Sequence, residues 1–253
     1  MFCMIWTAMQ ENREGNMFQY CLFDLDGTLT DPKEGITKSV QHALRAFGIE
    51  EPDLSKLEPF IGPPLIDSFM EFYGFDEAKS RKAVDVYRER FAPIGVLENK
   101  LIPGTEQMLS HAKEKGIHMA VASSKPLCFV RQILQHFDID QYFEVVIGSE
   151  LDGSGCAKEE VVEKALARLG VSSMNEQKRH LCCAMIGDRK FDIQGAKAHG
   201  LTGIGVSFGY AAEGELEEAG AEYIVDNMAE LEELLTEIPD GIGDGDSGGE
   251  ESI

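Results

Sequence analysis

The 253-residue chain is short of basic residues. Lys and Arg number 23 against 45 Asp and Glu, a formal charge of −22 at pH 7. A face for nucleic acid polymers or an anionic membrane needs the opposite sign, so neither is expected as a partner. The deficit is uneven: from Ala198 onward there are 15 acidic residues and no Lys or Arg, whereas the first 197 residues carry 30 acids against 23 bases. Long apolar runs are also missing, none approaching the ~20 residues of a spanning helix. The six cysteines, at 3, 21, 128, 156, 182 and 183, form no C-x-x-C pair and no His–Cys cluster with zinc spacing. That pattern reads as buried thiols of a reducing cytoplasm. The apolar opening Met1–Met9 lacks the positive n-region and long h-region of a signal peptide. Residues 1–16 are therefore expected to form a disordered leader. Against these absences stand 43% hydrophobic residues and 14 Phe, the composition of a packed globular protein.

Short apolar runs recur along the chain: Gln19–Leu25, Ile117–Ser123, Phe143–Ser149, Cys182–Gly187, Gly203–Phe208 and Tyr223–Val225. Helical patterns separate them, over Gly104–Lys115, Pro126–Phe137, Lys158–Leu169 and Phe191–His199, most with a glycine just beyond. The alternation predicts an α/β fold: a Rossmann-like parallel sheet with helices on both faces, its ligands bound at the carboxyl ends of the strands. Residues 32–100 break the alternation with helical patterns alone, at 32–47, Pro64–Tyr73 and Glu77–Phe91, the first with Asp31 as N-cap and Pro32 at N1. The expected organisation is a catalytic core of residues 17–31 and 101–238, an inserted all-helical cap of 32–100, and a disordered acidic tail of 239–253.

Chemistry concentrates at predicted strand ends. Asp24-Leu25-Asp26-Gly27-Thr28 closes the first strand with two carboxylates, which residues i and i+2 of a strand direct to one side. Burying both is costly unless a cation or a reaction uses them; an ordinary Asp-Gly turn explains one and not the other. Gly187-Asp188-Arg189-Lys190-Phe191-Asp192 places a second pair at another strand end. Asp192 alone reads equally well as a helix-N-terminus acid, but beside Asp24 and Asp26 the set fits a hard, oxygen-lined Mg²⁺ site. Ser123 and Lys158, read alone as a helix cap and a solvated lysine, fall in the same layer.

Order and spacing resemble the haloacid dehalogenase-like hydrolase superfamily, its helical-cap branch, over residues from about Met17 to Leu235. Asp24-x-Asp26-Gly27-Thr28, Ser123, Lys158 and Gly187-Asp188-x-x-x-Asp192 match its four motifs. At finer grain, Phe60-Ile61-Gly62-Pro63-Pro64-Leu65, Glu98-Asn99 and Gly187-Asp188-Arg189 resemble bacterial 5'-nucleotidases of this family, close kin of phosphoglycolate phosphatases. Gly155 departs from the Arg expected of such relatives. The resemblance implies Asp24 as nucleophile and Asp26 as general acid and base. It implies Mg²⁺ on Asp24, Asp26 through its carbonyl, and Asp188, with Asp192 placing the ion's waters. Ser123, Ser124 and Lys158 would bind phosphate. The substrate is then a small soluble phosphate monoester, with a phosphomutase or a non-catalytic binding protein as more distant alternatives and the oligomeric state left open. For specificity the cap offers the loop Phe60, Ile61, Gly62, Pro63 to a nucleoside and Lys33, Lys38 or Arg45 to a carboxylate; Phe60 and Phe69 are candidates for an aromatic wall against a base, but read first as cap core. Tyr87, Arg88 and Arg90 read as a structural ion-pair face.

Overall fold

A computed structural model describes residues 18–236. The expected leader and acidic tail lie outside the described residues. In chain order the elements are β1 (Tyr20–Phe23), β2 (Thr30–Asp31), α1 (Lys33–Ala46), α2 (Leu65–Tyr73), α3 (Glu77–Phe91) and β3 (Lys100–Leu101). There follow α4 (Thr105–Glu114), β4 (His118–Pro126), α5 (Leu127–His136), β5 (Val145–Ser149), α6 (Lys158–Arg168) and α7 (Glu176–Cys182). The last third holds β6 (Cys183–Gly187), α8 (Lys190–Ala198), β7 (Thr202–Val206), α9 (Glu215–Ala219), β8 (Tyr223–Val225) and α10 (Met228–Thr236).

Six strands form one sheet in the order β5-β4-β1-β6-β7-β8, every neighbouring pair parallel. Both faces are covered, and the period-2 pattern shows how. Cys21 and Phe23, Met119 and Val121, Ala184 and Ile186 belong to one apolar cluster. The alternating Leu22, Ala120, Ala122, Cys183 and Met185 belong to another, with Val161, Val162, Ala165 and Leu166 of α6. The chain leaves β1 to build β4 and β5 on one side and returns to build β6, β7 and β8 on the other. The reversal beside β1 opens a crevice at the carboxyl ends of β1, β4 and β6.

The helices between Lys33 and Phe91 stand above that crevice. The chain enters them through β2 and comes back through β3, and these two-residue strands pair antiparallel, Thr30 with Leu101 and Asp31 with Lys100. Two expectations shift. α1 begins at Lys33 with Pro32 in the capping position, although Asp31 Oδ1 still accepts the Lys33 N–H at 3.0 Å. Not every thiol is buried: Cys21 and Cys183 are, Cys156 and Cys182 are half-buried, and Cys128 is exposed, because it falls on the solvent side of α5. No helix among the described residues is long and apolar enough to cross a membrane.

α1 is fixed by a close backbone crossing. Its buried stripe of Ile36, Val40, Ala43 and Leu44 faces the cap interior, and Gly35 meets the turn at Gly95–Leu97. A Cβ on Gly35 would stand 2.0 Å from the Gly95 carbonyl oxygen, while the Gly35 N–H donates to the Glu98 carbonyl at 3.0 Å. Gly35→Ala is expected to lower stability by about 1–3 kcal/mol, overpacking outweighing the ~1 kcal/mol gain in helix propensity. Thermal unfolding measures it, and an unchanged or raised Tm would show that the turn can retreat.

Candidate active site

β1 ends by turning sharply. The Leu25 carbonyl accepts amides from Thr28, Leu29 and Thr30 at 3.3, 2.9 and 3.0 Å, and Gly27, at φ +80°, donates to the Thr30 carbonyl at 2.7 Å. The turn points Asp24 and Asp26 into the crevice. β6 supplies the opposite wall, with Asp188 just beyond its end and Asp192 in the first turn of α8. Glycines permit the crowding: a Cβ on Gly27 would lie 2.1 Å from Asp188 Oδ2, and one on Gly187 would lie 2.1 Å from Asp192 Cγ.

Carboxylate oxygens of Asp24, Asp188 and Asp192 lie within 4.8 Å of one another, all three residues buried. Lys158, at the start of α6, reaches across the layer. Its Nζ stands 3.0 Å from Asp24 Oδ1 and 2.7 Å from Asp192 Oδ1, and donates to the Ala122 carbonyl at 3.1 Å. Asp188 Oδ2 accepts the Tyr210 N–H at 2.8 Å, but Asp188 Oδ1 and Asp26 Oδ1 are buried with no hydrogen-bond partner. Asp26 turns its other oxygen to the ammonium of Lys125, apart from the three-carboxylate cluster. Ser123 is buried at the end of the same strand, and its Oγ accepts the Lys125 N–H at 3.3 Å.

Four carboxylates thus face two ammonium groups, and the imbalance moves their protons. Burial, then the charges of Asp192 and Asp24, raise the Asp188 pKa well above the carboxylate range. Burial pushes Asp192 up to about 6 against the pull of Lys158, and burial raises Asp26 against Lys125. For Lys158 burial acts downward, but the carboxylates of Asp192 and Asp24 outweigh it and the net shift is up. Partnerless buried oxygens in an all-oxygen cluster with excess negative charge fit a hard divalent cation such as Mg²⁺. Among the described residues no His or Cys joins the cluster, which argues against a zinc site.

Above these groups lies a cavity of about 1100 Å³ between the sheet and the helices of 33–91. Asp24, Asp26, Ser123, Ser124 and Lys125 floor it; Phe60, Gly62, Pro63 and Pro64 form one wall, α3 another and residues 151–154 a third. The specificity residues expected from sequence divide. Gly62 and Pro63 face the cavity. Phe60 also lines it, yet is 1% exposed and packed among the rings of Phe69, Phe72 and Tyr73 at 5.0, 5.4 and 6.1 Å. Ile61 is buried, and its carbonyl is the part in use. Lys33 and Arg45 do not line the cavity: Lys33 pairs with Glu58 at 2.8 Å and Arg45 with Glu50 at 3.2 Å, both outside it. Their helix presents its apolar side to the cap interior, which leaves its cations on the outer face.

Sequence reading missed Lys125, although a cation two residues beyond Ser123 in a strand-end Ser-Ser-Lys-Pro was the available signal. It also missed two stitches from sheet to cap. Arg189 donates to Glu215 Oε1 at 2.9 Å and to the Ile61 carbonyl at 2.8 Å. The Tyr210 hydroxyl donates to Asp31 at the base of α1. Both span more than a hundred residues of sequence and leave no local pattern.

The family model described as haloacid dehalogenase-like hydrolase matches residues 21–206. The chain is 46% identical over 214 residues to a 5'-nucleotidase of Pseudomonas aeruginosa, covering 85% of this chain and 94% of that one. It is 34% identical over 220 residues to tyrosine-protein kinase PtkA of Mycobacterium tuberculosis, covering 87% of this chain and 72% of that one. The crystal structure of a predicted phosphatase from Clostridium acetobutylicum aligns with a TM-score of 0.80 at 46% identity, covering 86% of this chain and 97% of that one.

The charge imbalance has a consequence for stability. A carboxyl whose folded pKa is raised favours the native state below its unfolded pKa and loses that contribution as pH rises through the folded value. At neutral pH the raised Asp188 value therefore works against folding of the metal-free protein. Asp188→Asn is expected to raise Tm in EDTA by about 2–6 °C near pH 7.5, the gain shrinking as pH falls toward 4. Equal Tm values at the higher pH would mean that the cluster carries no net repulsion.

Proposed function

The chain belongs to the haloacid dehalogenase-like hydrolase family, and from that membership we propose a phosphomonoesterase that works through an aspartyl-phosphate on Asp24, most like a 5'-nucleotidase. The observation that carries the reading is the convergence of Asp24, Lys158, Asp188 and Asp192 under a cavity wide enough for a nucleoside. Its size and the apolar stretch of its wall at Phe60, Pro63, Pro64, Ile66, Met70 and Phe129 favour such a leaving group over glycolate, and the Pseudomonas relative points the same way. Phosphoglycolate phosphatase activity is the alternative.

In this reading Asp24 attacks phosphorus in line and the ester oxygen leaves as its bond breaks. Asp26 gives that oxygen its proton; burial keeps the Asp26 pKa raised, which suits a donor, and Lys125 fixes where the carboxyl points. A water then attacks the phosphorus of the aspartyl-phosphate, Asp26 takes the proton, and Asp24 is regenerated with inorganic phosphate as product. Ser123, Ser124 and Lys158 hold the equatorial phosphoryl oxygens, Lys158 already anchored by the Ala122 carbonyl. Asp24, Asp188 and the Asp26 carbonyl would hold Mg²⁺, with Asp192 behind them, and the bound ion would supply the positive charge that lets a carboxylate approach a phosphate.

Phosphate release from a panel of monoesters tests the proposal. Nucleoside 5'-monophosphates should be hydrolysed with higher kcat/KM than phosphoglycolate or sugar phosphates, and Asp24→Asn should lose on the order of 10³-fold or more in kcat while remaining folded. Phosphoglycolate exceeding every nucleotide would overturn the nucleotidase assignment; near-normal turnover by Asp24→Asn would overturn the mechanism.

EDTA should abolish turnover and Mg²⁺ restore it, with less Mg²⁺ needed as pH rises from 5.5 to 7.5. The sign follows from the raised Asp188 and Asp192 values, because a cation must displace protons that are held more weakly at higher pH. Full activity in EDTA, or rescue by Zn²⁺ alone, would sink the assigned cation site.

A further inference from the structure

Among the described residues three cationic side chains line the cavity: Lys125, Arg81 and Arg88. Lys125 is held by Asp26. Arg81 is tied to Glu77 through Nε and Nη2 at 3.1 and 2.7 Å, its side chain 57% exposed at the outer end of α3. Arg88 is different. It is half-buried and faces the cavity, and its guanidinium forms no hydrogen bond or ion pair with any described residue. The ion-pair face expected of this helix belongs to Arg90, whose guanidinium meets Glu98 at 2.8 and 2.9 Å.

Its place in the cavity is also informative. Phe91, three residues on and about 4.5 Å along the helix axis, lies 5.2 Å by ring centroid from the same Lys125 Nζ that meets Asp26. Arg88 therefore stands one helical turn outward from the phosphoryl end, level with whatever the phosphate is attached to. A guanidinium taken partly out of water without an acceptor is unfavourable, and its planar fork matches two acceptor atoms in one plane. The walls also carry apolar Ile66, Met70 and Phe129 and the carboxylates Asp67, Glu77, Asp85 and Asp152, none of which forms an ion pair with Arg88.

Resting on the phosphomonoesterase reading above, we propose that Arg88 selects the substrate by binding a coplanar pair of acceptor atoms on the leaving group. Two kinds of monoester supply that chemistry: a base edge such as O6 and N7 of guanine or hypoxanthine, and the carboxylate of a small phosphorylated acid. Adenine, which puts an amino donor beside N7, does not.

The test compares wild type, Arg88→Ala and Arg88→Lys on GMP, IMP, AMP, phosphoglycolate and phenyl phosphate, the last having no acceptor on its leaving group. Arg88→Ala should lose at least tenfold in kcat/KM on the best acceptor-bearing substrate, mainly through KM, with a loss at least fivefold smaller on phenyl phosphate. Arg88→Lys should recover only part, since it keeps the charge without the fork. Calorimetric binding of GMP, AMP and phosphoglycolate to Asp24→Asn protein, with and without Arg88→Ala, reads the same selectivity without turnover. Equal losses on every substrate, or no loss in either assay, would overturn the proposal. An Arg88-dependent preference for phosphoglycolate with nucleotides ignored would retain it and remove the nucleotidase reading. Nucleotide turnover insensitive to Arg88 would do the reverse.

Discussion

Four carboxylates and two ammonium groups share a buried space at the carboxyl ends of β1, β4 and β6, and most of the surrounding structure follows from keeping that excess of negative charge in place. Lys158 is the central tie. It spans two of the carboxylates and is anchored to a β4 carbonyl, so β1, β4, α6 and α8 meet on one nitrogen. Glycine stands wherever a side chain would hold the carboxylates apart, at Gly27 and Gly187. The remaining imbalance can be relieved by protons or by a divalent cation. Both lower the same Coulomb cost, so in the proposed mechanism stability and activity pull in opposite directions at Asp188.

The sheet and the cap divide the recognition. In the proposed mechanism the groups at the strand ends address only the phosphoryl and cation part of a substrate and would not tell one monoester from another. Discrimination must come from the wall that the leaving group touches, made by the Phe60–Pro64 loop and the inner face of α3. The two parts are nonetheless linked at the site itself. Arg189 follows Asp188 directly and grips the Ile61 carbonyl, while Tyr210 holds Asp188 with its backbone and Asp31 with its hydroxyl. A displacement of the loop or of the base of α1 is thereby felt at Asp188.

The sheet was legible because buried parallel strands leave continuous apolar runs, and the carboxylates because they interrupt those runs where a fold would not choose to place them. The helical insertion was legible because it breaks the alternation. What escaped reading was set by pairing between distant segments. β2 and β3 are two residues each and exist only through each other. α9 carries too few residues for a helical period, and Lys125 gains meaning only once Asp26 is seen beside it. Lys33 and Arg45 were chosen by charge alone; the rotation of α1, set by Ile36, Val40 and Leu44, turns them outward. Arg88 and Arg90 looked alike in sequence, yet two residues along a helix is a rotation of about 200°, so one meets Glu98 and the other the cavity.

A chain of formal charge −22 acting on an anionic substrate gains nothing from long-range attraction. Recognition has to be local, made by cations close enough to the ligand for screening and the far field not to matter. The cavity fits that requirement: Lys125 stands at its floor with Lys158 beneath among the carboxylates, Arg88 lies one turn outward and Arg81 two turns beyond that. Lys158, Lys125 and Arg81 are each already matched by a carboxylate of the protein, so a substrate must compete for them or bring its own compensating cation. Arg88 alone among them asks nothing to be displaced, and that makes the leaving group, rather than the phosphate common to all monoesters, the part of the substrate with most to gain from this wall.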